Sequence, residues 1–301
     1  MMMTLLASML LATETDLPQV DSGRVESIAV SPANIPARDV LVWLPDGYPD
    51  AAPYAVLYMH DGDMLFDASR TWNQQEWGVD EVAGTLLVDG ELRPFIVVGV
   101  PNAGPERHSE YLPQAPFESF DEDEQARQLA LERAPETPLF AAPVRSDAYA
   151  RFLAEELKPL ILERFAVSGA REDQMLMGSS MGGLISLYTL LEHPDEFGAA
   201  ACLSTHWPGI FGEPNPFPAA MQAWLREQLP APGSHRIYFD HGTVGLDALY
   251  PPLQAEVDVI MSDRGYGEGA WETYEATGAD HTENDWNARL DRPLRFLFAE
   301  R

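Results

Sequence analysis

The stretches VLYM, FIVVGV, QMLM and AAACL are almost wholly apolar, and longer segments elsewhere carry apolar residues at three- and four-residue steps. Continuous apolar runs of this length suit strands buried on both faces, and a parallel sheet needs helical crossovers to cover them. The pattern predicts strands at 24–30, 39–44, 54–59, 94–100, 174–177, 199–203, 236–239 and 272–276. The first two are expected to lie antiparallel at one edge. The fold class is therefore α/β, a mostly parallel central sheet with helices on both faces.

Helices fall between these runs. In SDAYARFLAEELKPLILERF, Tyr149, Phe152, Leu153, Leu157, Leu160 and Ile161 make one apolar face, and Pro159 is expected to kink or divide the helix. Residues 184–191 form another, stopped before Pro194, while 253–261 and 286–298 supply two more, the last interrupted near Pro293. The segment 101–144 differs, with Pro, Gly and the acidic run ESFDEDEQARQLALERAPE between a strand and a helix. A connection this long is usually functional or mobile, so a cap or rim over a site is expected there, within one domain spanning 21–301.

Composition changes this picture in few places. A chain of 301 residues, 46% hydrophobic, can bury a sizeable core in one large domain. Its formal charge is -29, and Lys158 is the only lysine. With no basic stripe to neutralise phosphates, nucleic acid and anionic membrane surfaces are excluded as partners. The acidic surface reads as a solubility feature. Cys202 stands alone in an apolar run, which leaves no internal disulfide or cysteine metal cluster and suggests a buried, inert thiol. The N-terminal MMMTLLASMLLATETDLPQ has an apolar stretch too short to span a bilayer, then small residues near Ala12. Residues 1–20 therefore read as a signal peptide or a disordered terminus, and export is expected, although no basic residue precedes the stretch.

The candidate chemistry sits in MLMGSSMGGLISLYTLLEHP. Gly178-Ser179-Ser180-Met181-Gly182 fits G-x-S-x-G, between a predicted buried strand and a predicted helix. Such a strand–turn–helix lifts the central serine, Ser180, into an exposed, strained position. The flanking glycines are expected to be required because side chains there would clash. Ser179 lacks a glycine at both flanking positions and is the weaker candidate. A serine hydroxyl needs a base, and the base needs an orienting acid. Asp247, in a loop after one strand, and His281, in a loop after the next, supply them in the order Ser…Asp…His. Asp240 is the rival acid, and His60, His206 and His241 are rival histidines at strand ends. Two backbone N–H donors are needed for an oxyanion, expected from Met181 and Asp63. His60, Asp61 and Asp63 could suggest a metal site, but alternating residues at a strand end do not all point one way. No metal or cofactor is expected.

The segments VLYMHDGDMLFD, RHSEYLP, GSSMGGLISLY, IYFDHGTVGLDALY and GADHTENDW, in that order, resemble the esterase family of α/β-hydrolases that includes enterochelin esterases, feruloyl esterases, S-formylglutathione hydrolases and mycolyltransferases. The resemblance runs from about residue 27 to 298 and implies an α/β-hydrolase fold. It implies Ser180, Asp247 and His281 as the triad, with the amides of Met181 and Asp63 as oxyanion donors. Glutamine usually stands where this chain has Asp63, so its carboxylate is expected to point away. The resemblance also marks Arg107, Glu110 and Tyr111 as a structured loop near the site, in which Tyr111 either packs or contacts substrate. Trp207, in STHWPG, is a candidate aromatic wall. The expected activity is hydrolysis of a small or aromatic carboxylic ester through an acyl-enzyme, with a catalytically silent binding protein, an acyltransferase or a peptidase as alternatives. No arginine cluster suited to a multiply charged catecholate is visible along the chain.

Overall fold

The computed structural model describes residues 17–299. The N-terminal stretch behind the expectation of export falls mostly on residues 1–16, outside the described residues. In chain order the strands are β1 (Arg24–Val30), β2 (Arg38–Leu44), β3 (Ala55–His60), β4 (Phe95–Val100), β5 (Glu132–Ala134), β6 (Thr137–Pro138), β7 (Gln174–Ser179), β8 (Ala199–Leu203), β9 (Arg236–His241) and β10 (Trp271–Glu275). All eight strands expected from the apolar runs form, and they join one sheet in the order β1-β2-β4-β3-β7-β8-β9-β10. β1 pairs antiparallel with β2 and β2 antiparallel with β4; every later pair is parallel. This is the α/β-hydrolase sheet, with its antiparallel edge.

Two cores, one on each face, follow from strand alternation. Val56, Tyr58, Ile96, Val98, Leu176, Cys202 and Phe239 point into one. Leu57, Met59, Val97, Met175, Met177, Leu203 and Tyr238 point into the other. The first is covered by Met181–Glu192, Phe217–Gln228 and Tyr250–Asp263, the second by Val79–Val88 and Asp291–Phe298. Cys202 is fully buried, and burial pushes its thiol well above its ordinary range.

Pro159 does not break its helix. A π-helical stretch, Phe152–Leu157, precedes an α-helix that resumes at Lys158–Arg164. Proline has no N–H and would clash with the carbonyl four residues back, and the widened turn relieves both problems. The last helical pattern divides earlier than expected, into Glu283–Asn287 and Asp291–Phe298. Pro293 lies in the first turn of the second helix, where a missing N–H leaves no bond unmade.

The segment 101–144 folds into short helices, Arg107–Tyr111, Gln114–Glu118 and Glu122–Leu129, and the β5–β6 hairpin. Two ion pairs, one buried and one partly buried, tie it down. Arg38 on β2 holds Glu110 through two hydrogen bonds, at 2.8 and 3.1 Å. Arg107 grips Asp61 through Nε and Nη2, both at 2.7 Å.

Candidate active site

β7 ends at Ser179 and the helix Met181–Glu192 follows after a single residue, so Ser180 must turn the chain alone. It does so at φ 58°, ψ -123°, a region that L-residues rarely occupy. The turn is pinned from both sides: Ser180 N–H donates to Leu203 O at 2.9 Å, and His206 N–H donates to Ser180 O at 3.1 Å.

The two motif glycines are not equally constrained. A Cβ on Gly178 would lie 2.8 Å from the Gly182 carbonyl group, a backbone clash. A Cβ on Gly182 would meet Asp61 and His60 side-chain atoms at 3.4 Å, ordinary contact. The expectation that both flanking glycines are required therefore holds at Gly178 and not at Gly182. Gly178→Ala is expected to destabilise the protein by about 2 kcal/mol, as overpacking does, and Gly182→Ala by much less. Thermal denaturation of the two variants checks this, and a larger loss at Gly182 would contradict the clash.

His281 lies in the loop after β10, and Asp247 in a 3-10 turn, Gly245–Leu249, after β9. His281 Nδ1 and Asp247 Oδ1 are 2.5 Å apart. The other oxygen, Asp247 Oδ2, accepts from Ser204 Oγ at 2.5 Å and from Gly242 N–H at 2.6 Å. Burial alone would raise the Asp247 pKa, but the hydrogen bonds from His281 and Ser204 outweigh it and hold the group below its ordinary value. The carboxylate stays ionised.

Asp240, the rival acid, is buried on β9 and belongs to a different pair. Its Oδ1 accepts from Arg289 Nη2 at 3.0 Å and from Ser204 N–H at 3.1 Å. Ser204 links the two carboxylates: its hydroxyl donates to Asp247 and accepts from Arg289 Nη2 and Trp286 Nε1, each at 2.9 Å. That uses the hydroxyl's one proton and both lone pairs. Sequence reasoning missed Ser204, Trp286, Arg289 and Tyr250. The Ser204, Arg289 and Asp240 contacts span 36 to 85 residues, and no local spacing rule reaches that far.

The rival histidines are engaged elsewhere. His60 Nδ1 meets Tyr149 Oη at 2.9 Å, and His206 Nδ1 meets Tyr250 Oη at 2.9 Å. Burial pushes both imidazoles down to about 3, so neither can take up a proton near neutral pH. His241 Nδ1 lies 2.7 Å from Gly242 O. No group of three His, Cys, Asp or Glu among the described residues is placed to hold a metal ion.

Two cavities meet at Ser180. The larger, about 630 Å3, is lined by Asp63, Trp72, Ser179, Ser180, His281 and Trp286 among others. The smaller, about 200 Å3, is lined by Arg107, His108, Arg133, Met181, His206 and also Ser180. Arg133 on the β5–β6 hairpin thus joins Arg107 beside the serine, a pairing not visible along the chain. Tyr250 is buried beside the serine: its hydroxyl lies against the Ser180 side chain and its ring is 5.8 Å from the His281 ring.

Two sequence-derived assignments are corrected. Trp207 is buried in the core, its indole N–H bonded to Gln254 Oε1 at 2.8 Å, and it lines neither cavity. Tyr111 is fully buried under the Arg107 guanidinium, 5.1 Å from its ring centre, and is a packing residue. The exposed aromatics at the site are Trp72, 85% accessible at the rim of the larger cavity, and Phe211, 46% accessible in the lining of the smaller. Asp63 also departs from expectation. Its carboxylate turns back to its own amide, while partial burial and the Asp61 charge raise its pKa.

Residues 36–297 match the family described as "Putative esterase". The chain belongs to this esterase family. Among curated relatives of this esterase, the ferri-bacillibactin esterase BesA of Bacillus subtilis (strain 168) is 26% identical over 173 residues, 56% of this chain and 54% of that protein. The chain therefore matches about half the length of that relative. Among solved structures, the BES protein from Bacillus cereus superposes with a TM-score of 0.64 at 17% identity, covering 95% of this chain and 100% of that one. The enterobactin esterase FES from Shigella flexneri superposes with a TM-score of 0.62 at 18% identity, covering 94% of the esterase and 60% of that chain. At these identities the superpositions establish the fold.

Proposed function

We propose that this chain is a serine carboxylic-ester hydrolase that works through an acyl-enzyme, with Ser180 as nucleophile, His281 as base and Asp247 as the orienting acid. The reading is carried by one observation: an imidazole 2.5 Å from a buried, ionised carboxylate lines the same cavity as a serine held at φ 58°. With Nδ1–H donating to Asp247, the Nε2 lone pair of His281 is free to take the Ser180 proton. Ser180 Oγ then adds to the ester carbonyl, and the Met181 and Asp63 amides receive the developing oxyanion. His281 returns the proton to the alcohol oxygen as the C–O bond breaks, and water repeats the sequence to free the acid. For the Asp63 amide to serve, its carboxylate must swing off it.

His281 lines the larger cavity and not the smaller, so the departing alcohol belongs in the larger one, where the proton is delivered. The acyl group then enters the smaller cavity. A small or aromatic acyl group suits its volume of about 200 Å3. A fluorophosphonate probe tests the proposal: it is expected to label Ser180 at neutral pH, seen by peptide mass spectrometry. A protein that stays unlabelled at Ser180 would return the chain to a silent binding role.

A further inference from the structure

The larger cavity, which takes the alcohol portion of the ester in the reading above, carries a carboxylate that the chain leaves without a cation. Asp63 lines this cavity and is open to solvent. No arginine, lysine or histidine lies within ion-pair distance of it among the described residues. Arg107, which lines the same cavity, gives its Nε and Nη2 to Asp61. Glu283, also in the lining, already accepts from Asn73 Nδ2 at 2.8 Å. With Arg133 counted, the lining sets three carboxylates against two guanidiniums. Partial burial and the Asp61 charge raise the Asp63 pKa, so a proton is held more strongly here than on an ordinary carboxylate. A positive group on a ligand meets the same field.

The surroundings narrow the kind of cation. No group of three His, Cys, Asp or Glu among the described residues is placed to hold a metal ion, which leaves an organic one. Trp72 stands exposed at the rim, with no ring or cationic side chain against it among the described residues. An alkylammonium group suits both neighbours: its charge pairs with the carboxylate, and its carbon-bound face lies against an indole. Resting on the esterase reading above, we infer that the preferred substrate is an ester whose alcohol carries an alkylammonium group, received by the Asp63 carboxylate with Trp72 at the rim. Drawing the carboxylate onto the bound cation also takes it off its own amide, the N–H that the oxyanion needs. The formal charge of -29 attracts cations from a distance, and Asp63 selects for them at the site.

Acetylcholine and 3,3-dimethylbutyl acetate test this, because they share an acyl group and a leaving-group shape and differ by one positive charge. At low ionic strength the wild-type protein is expected to favour acetylcholine by about tenfold in kcat/KM. That ratio is expected to fall toward one in Asp63→Asn, which keeps the shape of the side chain and removes its charge. The variant gives up one of 48 acidic residues, so the overall field hardly changes and a lost preference locates the cation at Asp63. Taking the ratio within one variant cancels any general damage to the site. Should Asp63→Asn turn over neither ester, calorimetry with choline decides: weaker binding than to wild type supports the inference, and equal binding overturns it. If fluorophosphonate labels Ser180 but the wild-type protein shows no preference for the cation, whether both esters react alike or neither reacts, the inference is wrong and the esterase reading stands. A preference unmoved in Asp63→Asn likewise overturns the inference. If Ser180 is not labelled, both fall.

Discussion

Ser180→Ala is expected to lower kcat about a millionfold while leaving the melting temperature nearly unchanged, the size of loss seen when a serine nucleophile is removed from such a machine. Alanine keeps the Cβ, so the strain at φ 58° is neither relieved nor increased. The backbone bonds that hold the turn, from Ser180 N–H to Leu203 and from His206 N–H to Ser180, do not involve the hydroxyl. Only the contact with Tyr250 is lost from the fold. Ester turnover by the purified variant, with circular dichroism on heating, separates chemistry from stability. Retained turnover would move the nucleophile elsewhere, first to Ser179 on the wall of the same cavity.

Asp247→Asn should lower kcat by about ten-thousandfold. The reason lies in the proton inventory around the carboxylate. Three donors converge on it: His281 Nδ1–H on one oxygen, Ser204 Oγ–H and Gly242 N–H on the other. Asparagine offers one acceptor oxygen. Keeping Ser204 and Gly242 satisfied turns the amide NH2 toward His281, whose Nδ1 must then accept. The ring proton moves to Nε2, and the lone pair that should take the Ser180 proton disappears. Asp240→Asn provides the control. It spares the His281 contact but breaks the buried pair with Arg289, so it should cost about 3–5 kcal/mol of stability and far less in turnover. Were Asp240→Asn the more damaging to kcat in the folded protein, the choice of acid would be wrong. The same carboxylate carries a pH signature. Its pKa is lower folded than unfolded, so its contribution to stability is present above the ordinary carboxylate range and is lost as pH falls through the lowered value.

Much of the architecture is legible along the chain, because strands buried on both faces must be apolar throughout and helices between them must carry one apolar stripe. The eight sheet strands and the serine turn follow from local pattern, and chain order offers an acid and then His281 as partners for Ser180. The helices Val79–Val88 and Phe217–Gln228 did not, and neither did the π-turn before Pro159.

What the linear chain could not decide was which carboxylate meets His281. Asp240 and Asp247 are seven residues apart and both lie at the end of β9 or just past it. Only the placement of Ser204 and Arg289, from β8's end and the C-terminal region, assigns one to the imidazole and ties up the other. The two arginines beside Ser180 and the paired histidines of the smaller cavity are likewise products of folding. Periodicity reports which face of an element is buried, a short-range property. A polar site is assembled from the ends of several strands, and its contacts are set by how the sheet brings those ends together.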